Sequence, residues 1–99
     1  MFEIEYAESV ERDLRLLRAY HRTAILDAID KYLPREPLVE TRHRKPLAGL
    51  VPPWEHVPPI WELRGGEYRV FYDVDEGRGV VRVRAVRHKP AHKATKDIV

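Results

Sequence analysis

Cysteine is absent from this chain. That excludes a disulfide framework, a thiol nucleophile and a zinc–thiolate centre. Long apolar runs are missing as well, and none approaches the roughly 20 residues that a membrane span requires. The opening stretch, MFEIEYAESVERDL, is acidic and lacks the basic and apolar regions of a secretory signal. A cytoplasmic protein with no membrane partner is therefore the expectation. A large excess of one charge is also lacking. The formal net charge is only +2, which does not by itself announce a nucleic acid.

What is present is organised. With 99 residues, 43% of them hydrophobic, the chain fits one domain, residues 1–99, around one modest core. Charge is distributed unevenly along it. Glu3, Glu5, Glu8, Glu11 and Asp13 open the chain, whereas residues 78–96 hold seven Arg and Lys residues and no acid. An acidic start and a basic end hint at a polyanionic partner.

The FEIEY stretch alternates Phe2, Ile4 and Tyr6 with glutamates, the period of a strand with one buried face. Ser9 is positioned to cap a helix carrying Val10, Leu14 and Leu17 on one side and ending near Tyr20. A second helix follows, with Ala24, Ile25, Ala28, Ile29, Tyr32 and Leu33, after a break around Tyr20–Arg22, and Pro34 stops it. Residues 34–59 carry seven of the eight prolines and read as an extended loop. A loop so long in so small a domain is usually functional or mobile, and this one contains the basic run RHRKPLAG. Strands return in PIWELR, EYRVFYDVD and GVVRVRAVRHK, joined by the RGGE and DEGRG turns. The expected architecture is α+β: an N-terminal strand and a helix pair packed on one face of an antiparallel β-sheet, with the other face open.

In EYRVFYDVD the alternation sends Tyr68, Val70, Tyr72 and Val74 to the core and Arg69, Phe71 and Asp73 to the other face. Arg87, His88 and Lys89 lie across from Arg69 if paired residue numbers sum to roughly 155–157, a register in which a one-residue slip exchanges faces. Either Arg87 or His88 then joins Arg69. Clustered cations call for an anion, and arginine grips phosphate through two parallel hydrogen bonds. His88 is the group at this end able to exchange a proton near neutral pH. In HKPAH, Pro90 prevents the helix that would converge His88 and His92, which argues against a metal site.

The stretches WELRGGEYRVFY and DVDEGRGVVRVRAVRHK resemble the toxin subunits of the RelE/ParE superfamily of bacterial and archaeal toxin–antitoxin systems. The order of elements agrees over nearly the whole chain. Some branches cut messenger RNA, usually in the ribosomal decoding site, others poison DNA gyrase, and proteins of this fold without shown activity also exist. The resemblance implies a cognate antitoxin, possession of no cofactor and a toxin–antitoxin hetero-oligomer. For an mRNA interferase it implies ribosome and mRNA as partners, with a ribose 2′-hydroxyl attacking the neighbouring phosphate. Arg69 then matches the arginine that steadies the phosphate's growing charge, Arg64 matches a second phosphate contact, and His88 falls where one branch has its proton donor. That branch's glutamate base is Lys45 here. Another branch's catalytic lysines fall at Ile60 and Glu62, so Lys45 and Glu62 are rivals for the base. Arg42, Arg44, Arg87 and Lys89 complete the expected phosphate contacts. A non-catalytic or gyrase-targeting member acting by binding is the alternative.

Overall fold

Alternating apolar and charged residues put the first strand, β1 (Glu3–Tyr6), at a sheet edge, with Ile4 and Tyr6 inward. The computed structural model describes residues 1–99. Helix α1 (Glu8–Leu16) buries Val10 and Leu14, and helix α2 (Ala19–Tyr32) buries Ile25 and Ile29. Strands β2 (Arg44–Pro46), β3 (Trp61–Gly65), β4 (Tyr68–Asp75) and β5 (Val80–His88) follow. The five strands form one sheet in the order β1-β5-β4-β3-β2, with β1 parallel to β5 and the other pairs antiparallel.

Helix α1 begins one residue before Ser9, and its N-cap is Ala7, which has no side-chain oxygen. Glu8 and Glu11 instead place negative charge in the first turn, where the helix dipole favours it. The break between the helices comes at Leu17–Arg18 rather than Tyr20–Arg22. Arg22 explains its position. Its guanidinium donates to the Leu14 and Leu17 carbonyls at 3.1 and 2.8 Å, satisfying acceptors that the end of α1 leaves free.

Both helices cover the same sheet face, α1 against β5 and α2 against β3 and β4. There Leu63, Val70, Tyr72, Val81 and Val83 meet the helix stripes. Close approach of α2 to β3 requires Gly65, where an added Cβ would lie 3.4 Å from the Ile25 Cα. The β3–β4 turn uses Gly66 at φ 62°, the positive value that a two-residue hairpin of this hand needs.

The opposite face is not open. Ile60, Phe71 and Ala85 are buried there beneath Leu47, Trp54, Ile98 and Val99, so the proline-rich loop and the C-terminal segment roof part of the sheet. Burying a side chain such as Phe71 is worth about 1.5–3 kcal/mol, enough to hold such a covering down. The loop also contributes the unexpected edge strand β2. Pro46 is tolerated there because an edge strand leaves one side of its ladder unpaired.

Candidate polyanion and RNA site

Two cross-strand rows build the site on the face opposite the helices. Directly opposed residues share a face. Arg64 opposes Arg69 across β3–β4, and Arg69 opposes Arg87 across β4–β5. The neighbouring row is Lys45, Glu62, Phe71 and Ala85. Continuing the β2–β3 register one residue beyond Arg44 sets His43 opposite Arg64, and the Arg64 N–H donates to the His43 carbonyl at 2.8 Å. The first row is thus Arg64, Arg69 and Arg87, and the backbone of His43, in the turn before β2, closes its end while the ring turns to the sheet edge against Tyr32 of α2.

A recess of about 140 Å³ with no hydrophobic residue in its wall opens over these rows. Six of the expected site residues line it: Arg42, Arg44, Lys45, Glu62, Arg64 and Arg69. Arg69 is only 9% exposed, so it lies in the recess rather than standing on a free surface. Its Nη1 donates to the Gly66 and Tyr68 carbonyls at 3.2 and 2.9 Å, which fixes the guanidinium and leaves its other N–H groups for a ligand. Burial and the nearby Arg64 lower its pKa, and Glu62 opposes them. Arginine stays charged regardless. Like charges on facing residues repel, and a bound anion would relieve that repulsion. Neither Arg64 nor Arg69 has a carboxylate within salt-bridge distance.

Glu62 is 6% exposed and accepts a hydrogen bond from the Thr95 hydroxyl of the C-terminal segment. Lys45 stands opposite it, exposed. Arg42 is exposed at the recess rim.

Two expected residues, Arg44 and His88, take the helix-side face, and Arg87 stands beside Arg69 but has other partners. The Arg44 side chain is buried on the helix side, opposite Leu63, with its guanidinium 5.0 Å from the Tyr32 ring centre and Nη2 donating to Glu36 at 3.1 Å. It is a packing cation: the residue borders the recess, but its charge is spent on Tyr32 and Glu36 on the helix side. Arg87 is in the row, but its guanidinium lies 5.1 Å from the Trp54 ring centre and 4.0 Å from Asp13. His88 opposes Tyr68, and so belongs to the helix-side face, away from Arg69. Its ring is 5.2 Å from Tyr68, which in turn contacts His21 at 5.1 Å. Lys89 continues the ladder beyond β5, its N–H bonded to the Glu67 carbonyl. The imidazole that sequence reasoning passed over is His43. It sits in the RHRK run, in the turn just before β2, and no periodicity in the sequence marks it out.

An α+β sheet with two helices on one face and two arginines free of carboxylates on the other defines a RelE-like fold. The family model described as the ParE toxin of type II toxin–antitoxin systems, parDE, matches residues 4–90, and the chain belongs to that family, within the RelE/ParE toxin superfamily. Among solved structures, it is similar to RelE in the archaeal RelE–RelB complex of Pyrococcus horikoshii OT3, at 23% identity and TM-score 0.69, covering 94% of this chain and 98% of that one. The Mycobacterium tuberculosis toxin–antitoxin complex RelBE2 matches at 26% identity and TM-score 0.67, covering 89% and 98%. A variant of E. coli RelE in the free state matches at 23% identity and TM-score 0.65, covering 89% and 82%. No curated protein matches in sequence. No helix is long and apolar enough to cross a membrane.

Proposed function

We propose that this toxin cleaves messenger RNA on the ribosome and is held inactive by a cognate antitoxin. The observation that carries the reading is the buried Arg69 beside Arg64, neither paired with a carboxylate, at a recess walled only by polar and charged groups. Such a pair grips a phosphate and opposes charge as it grows on the non-bridging oxygens. Glu62 is the better candidate for the base that takes the 2′-hydroxyl proton, since it is a carboxylate in the same recess. Lys45, opposite it, is the rival and otherwise supplies positive charge. The antitoxin is supported by the relatives whose structures are toxin–antitoxin complexes, those of P. horikoshii and M. tuberculosis.

Single-turnover cleavage of mRNA on programmed ribosomes tests the reading. Arg69→Ala is expected to slow the chemical step by about 10²–10³-fold, the usual loss when one transition-state donor is removed, with a smaller effect on binding. Equal rates for the two proteins would refute it. The second reading, a gyrase-targeting or non-catalytic member that acts by binding, is favoured by the ParE family match. Growth arrest by a wild type that cleaves no ribosome-bound mRNA, together with loss of gyrase supercoiling in vitro, would select it.

A further inference from the structure

We infer that His43 is the proton donor to the leaving oxygen in this recess, an assignment that rests on the RNA-cleaving reading. The residue expected for that task, His88, lies on the opposite sheet face. The His43 backbone pairs with Arg64 at the end of the arginine row, and the residue lies at the sheet edge, where it lines the recess that holds Arg69 and Glu62.

The other histidines are committed elsewhere. His21 and His88 flank Tyr68, the Nδ1 of His56 is 3.1 Å from the Trp54 carbonyl, and His92 is exposed beyond β5. His43 is held by its backbone and its ring. Its N–H donates to the Thr41 hydroxyl at 3.1 Å, its carbonyl accepts from Arg64, and its ring stacks on Tyr32 at 5.4 Å with an interplanar angle of 20°. Such restraint suits a group that must meet one oxygen of a substrate.

The step balances. The 2′-oxygen forms a bond to phosphorus while its proton passes to the recess base, the P–O5′ bond breaks, and the His43 imidazolium gives its proton to O5′. The products are a 2′,3′-cyclic phosphate and a 5′-hydroxyl. Charged and titratable groups face His43 from three sides: Asp27, Lys31 and Tyr32 of α2, Arg64 of β3, and Glu40 and Arg42 of its own loop. Across the recess lie Lys45, Glu62 and Arg69, and Arg44 packs on the same Tyr32 ring.

The test is single-turnover cleavage on programmed ribosomes between pH 5.5 and 9 by wild type, His43→Gln and His88→Gln. Each is run on normal mRNA and on a substrate whose scissile 5′-oxygen is replaced by sulfur, a leaving group that needs no proton. Wild type should lose rate on the alkaline side of its profile. His43→Gln should be slower by about 10²–10⁴-fold, the usual worth of one proton donor, without that alkaline decline, and should recover to near wild type on the sulfur substrate. His88→Gln should stay within a few-fold of wild type. Thermal melting checks that the variants are folded, and His43→Asn serves if His43→Gln is not. An unimpaired His43→Gln, or a deficit that the sulfur substrate fails to rescue, overturns the assignment while the nuclease reading stands. A wild type that cleaves neither substrate overturns both.

Discussion

At the scale of single residues, the fold makes opposite demands on its buried polar groups. The Tyr72 hydroxyl is buried and donates to the Pro37 carbonyl at 2.6 Å, pinning the start of the proline-rich loop to the sheet. Burial pushes its pKa well above the usual 10.0, with Arg44 opposing, and Tyr6 is raised by burial and by Asp30. A phenol that keeps its proton more tightly when folded contributes stability that is present below pH 10.0 and is lost as pH rises beyond it. The unfolded phenol ionises first, so the folded state alone holds the proton. Tyr72→Phe should therefore cost about 1–2 kcal/mol at pH 7, through the lost hydrogen bond and an unsatisfied carbonyl. It should also flatten the fall in stability between pH 9 and 11. Urea midpoints across that range check both, and an unchanged alkaline slope would remove Tyr72 as its source. Arg69 shows the converse case: a buried group that keeps its charge, with carbonyl partners for its Nη1 and other N–H groups left for an anion.

At the scale of elements, β4 and β5 decide what each face carries. Phe71 opposes Ala85, yet Tyr72 opposes Val83, so Arg84 is an extra, bulged residue. The alternation in EYRVFYDVD was enough to read which face Arg69 takes, whereas Arg64 entered only through the family resemblance and the register sets it opposite. The bulge carries no comparable signature. Without it Arg69 would oppose Val86 rather than Arg87, so the sequence left Arg87 and His88 undecided as its neighbour. The β2 edge strand was hidden for a related reason. It is three residues long, ends in proline and gains its partners only from β3. Likewise the covering of Phe71 depends on contacts with Trp54, Ile98 and Val99 that no local pattern announces. The bulge also directs Arg84 to Asp73 at 2.8 Å, and Asp73 accepts from the Val57 N–H at 2.9 Å. Asp73 is 1% exposed, so this pair ties the loop to the sheet. Asp73→Ala should cost about 3 kcal/mol, the low end for breaking a buried pair because Arg84 keeps some solvent. It should also speed proteolysis within residues 51–59. Glu5→Ala, which breaks an exposed pair with Arg82, should cost no more than about 1 kcal/mol. Equal losses in the two variants would contradict the burial argument.

At the scale of the molecule, the charge asymmetry of the sequence is largely folded away. Parallel pairing of β1 with β5 lays the acidic start beside the basic end. Arg82 meets Glu5 at 3.3 Å and Arg87 approaches Asp13 at 4.0 Å, while Arg84 and Arg78 pair with Asp73 and Asp75. The basic C-terminal strand that suggested a polyanion is thus substantially neutralised. The cations left without a carboxylate at the recess are Arg42, Lys45, Arg64 and Arg69, from the loop and the β3–β4 hairpin. This distribution has a measurable consequence. Each cation that neutralises a phosphate releases counterions, so for single-stranded RNA the logarithm of affinity falls with the logarithm of salt by about 0.7 per contact. Arg42→Ala, Lys45→Ala and Arg64→Ala should each weaken binding of a fluorescently labelled single-stranded RNA and reduce that slope by about 0.7. Arg82→Ala should leave the slope unchanged, because its charge is already met by Glu5 and its loss frees no phosphate contact. Arg44→Ala should likewise spare the slope, although it removes a buried side chain and should lower the melting temperature. Fluorescence anisotropy from 50 to 300 mM salt separates these outcomes. If Arg82→Ala flattens the slope while Arg64→Ala and Lys45→Ala do not, the RNA follows the β1–β5 edge and the recess is not its binding site.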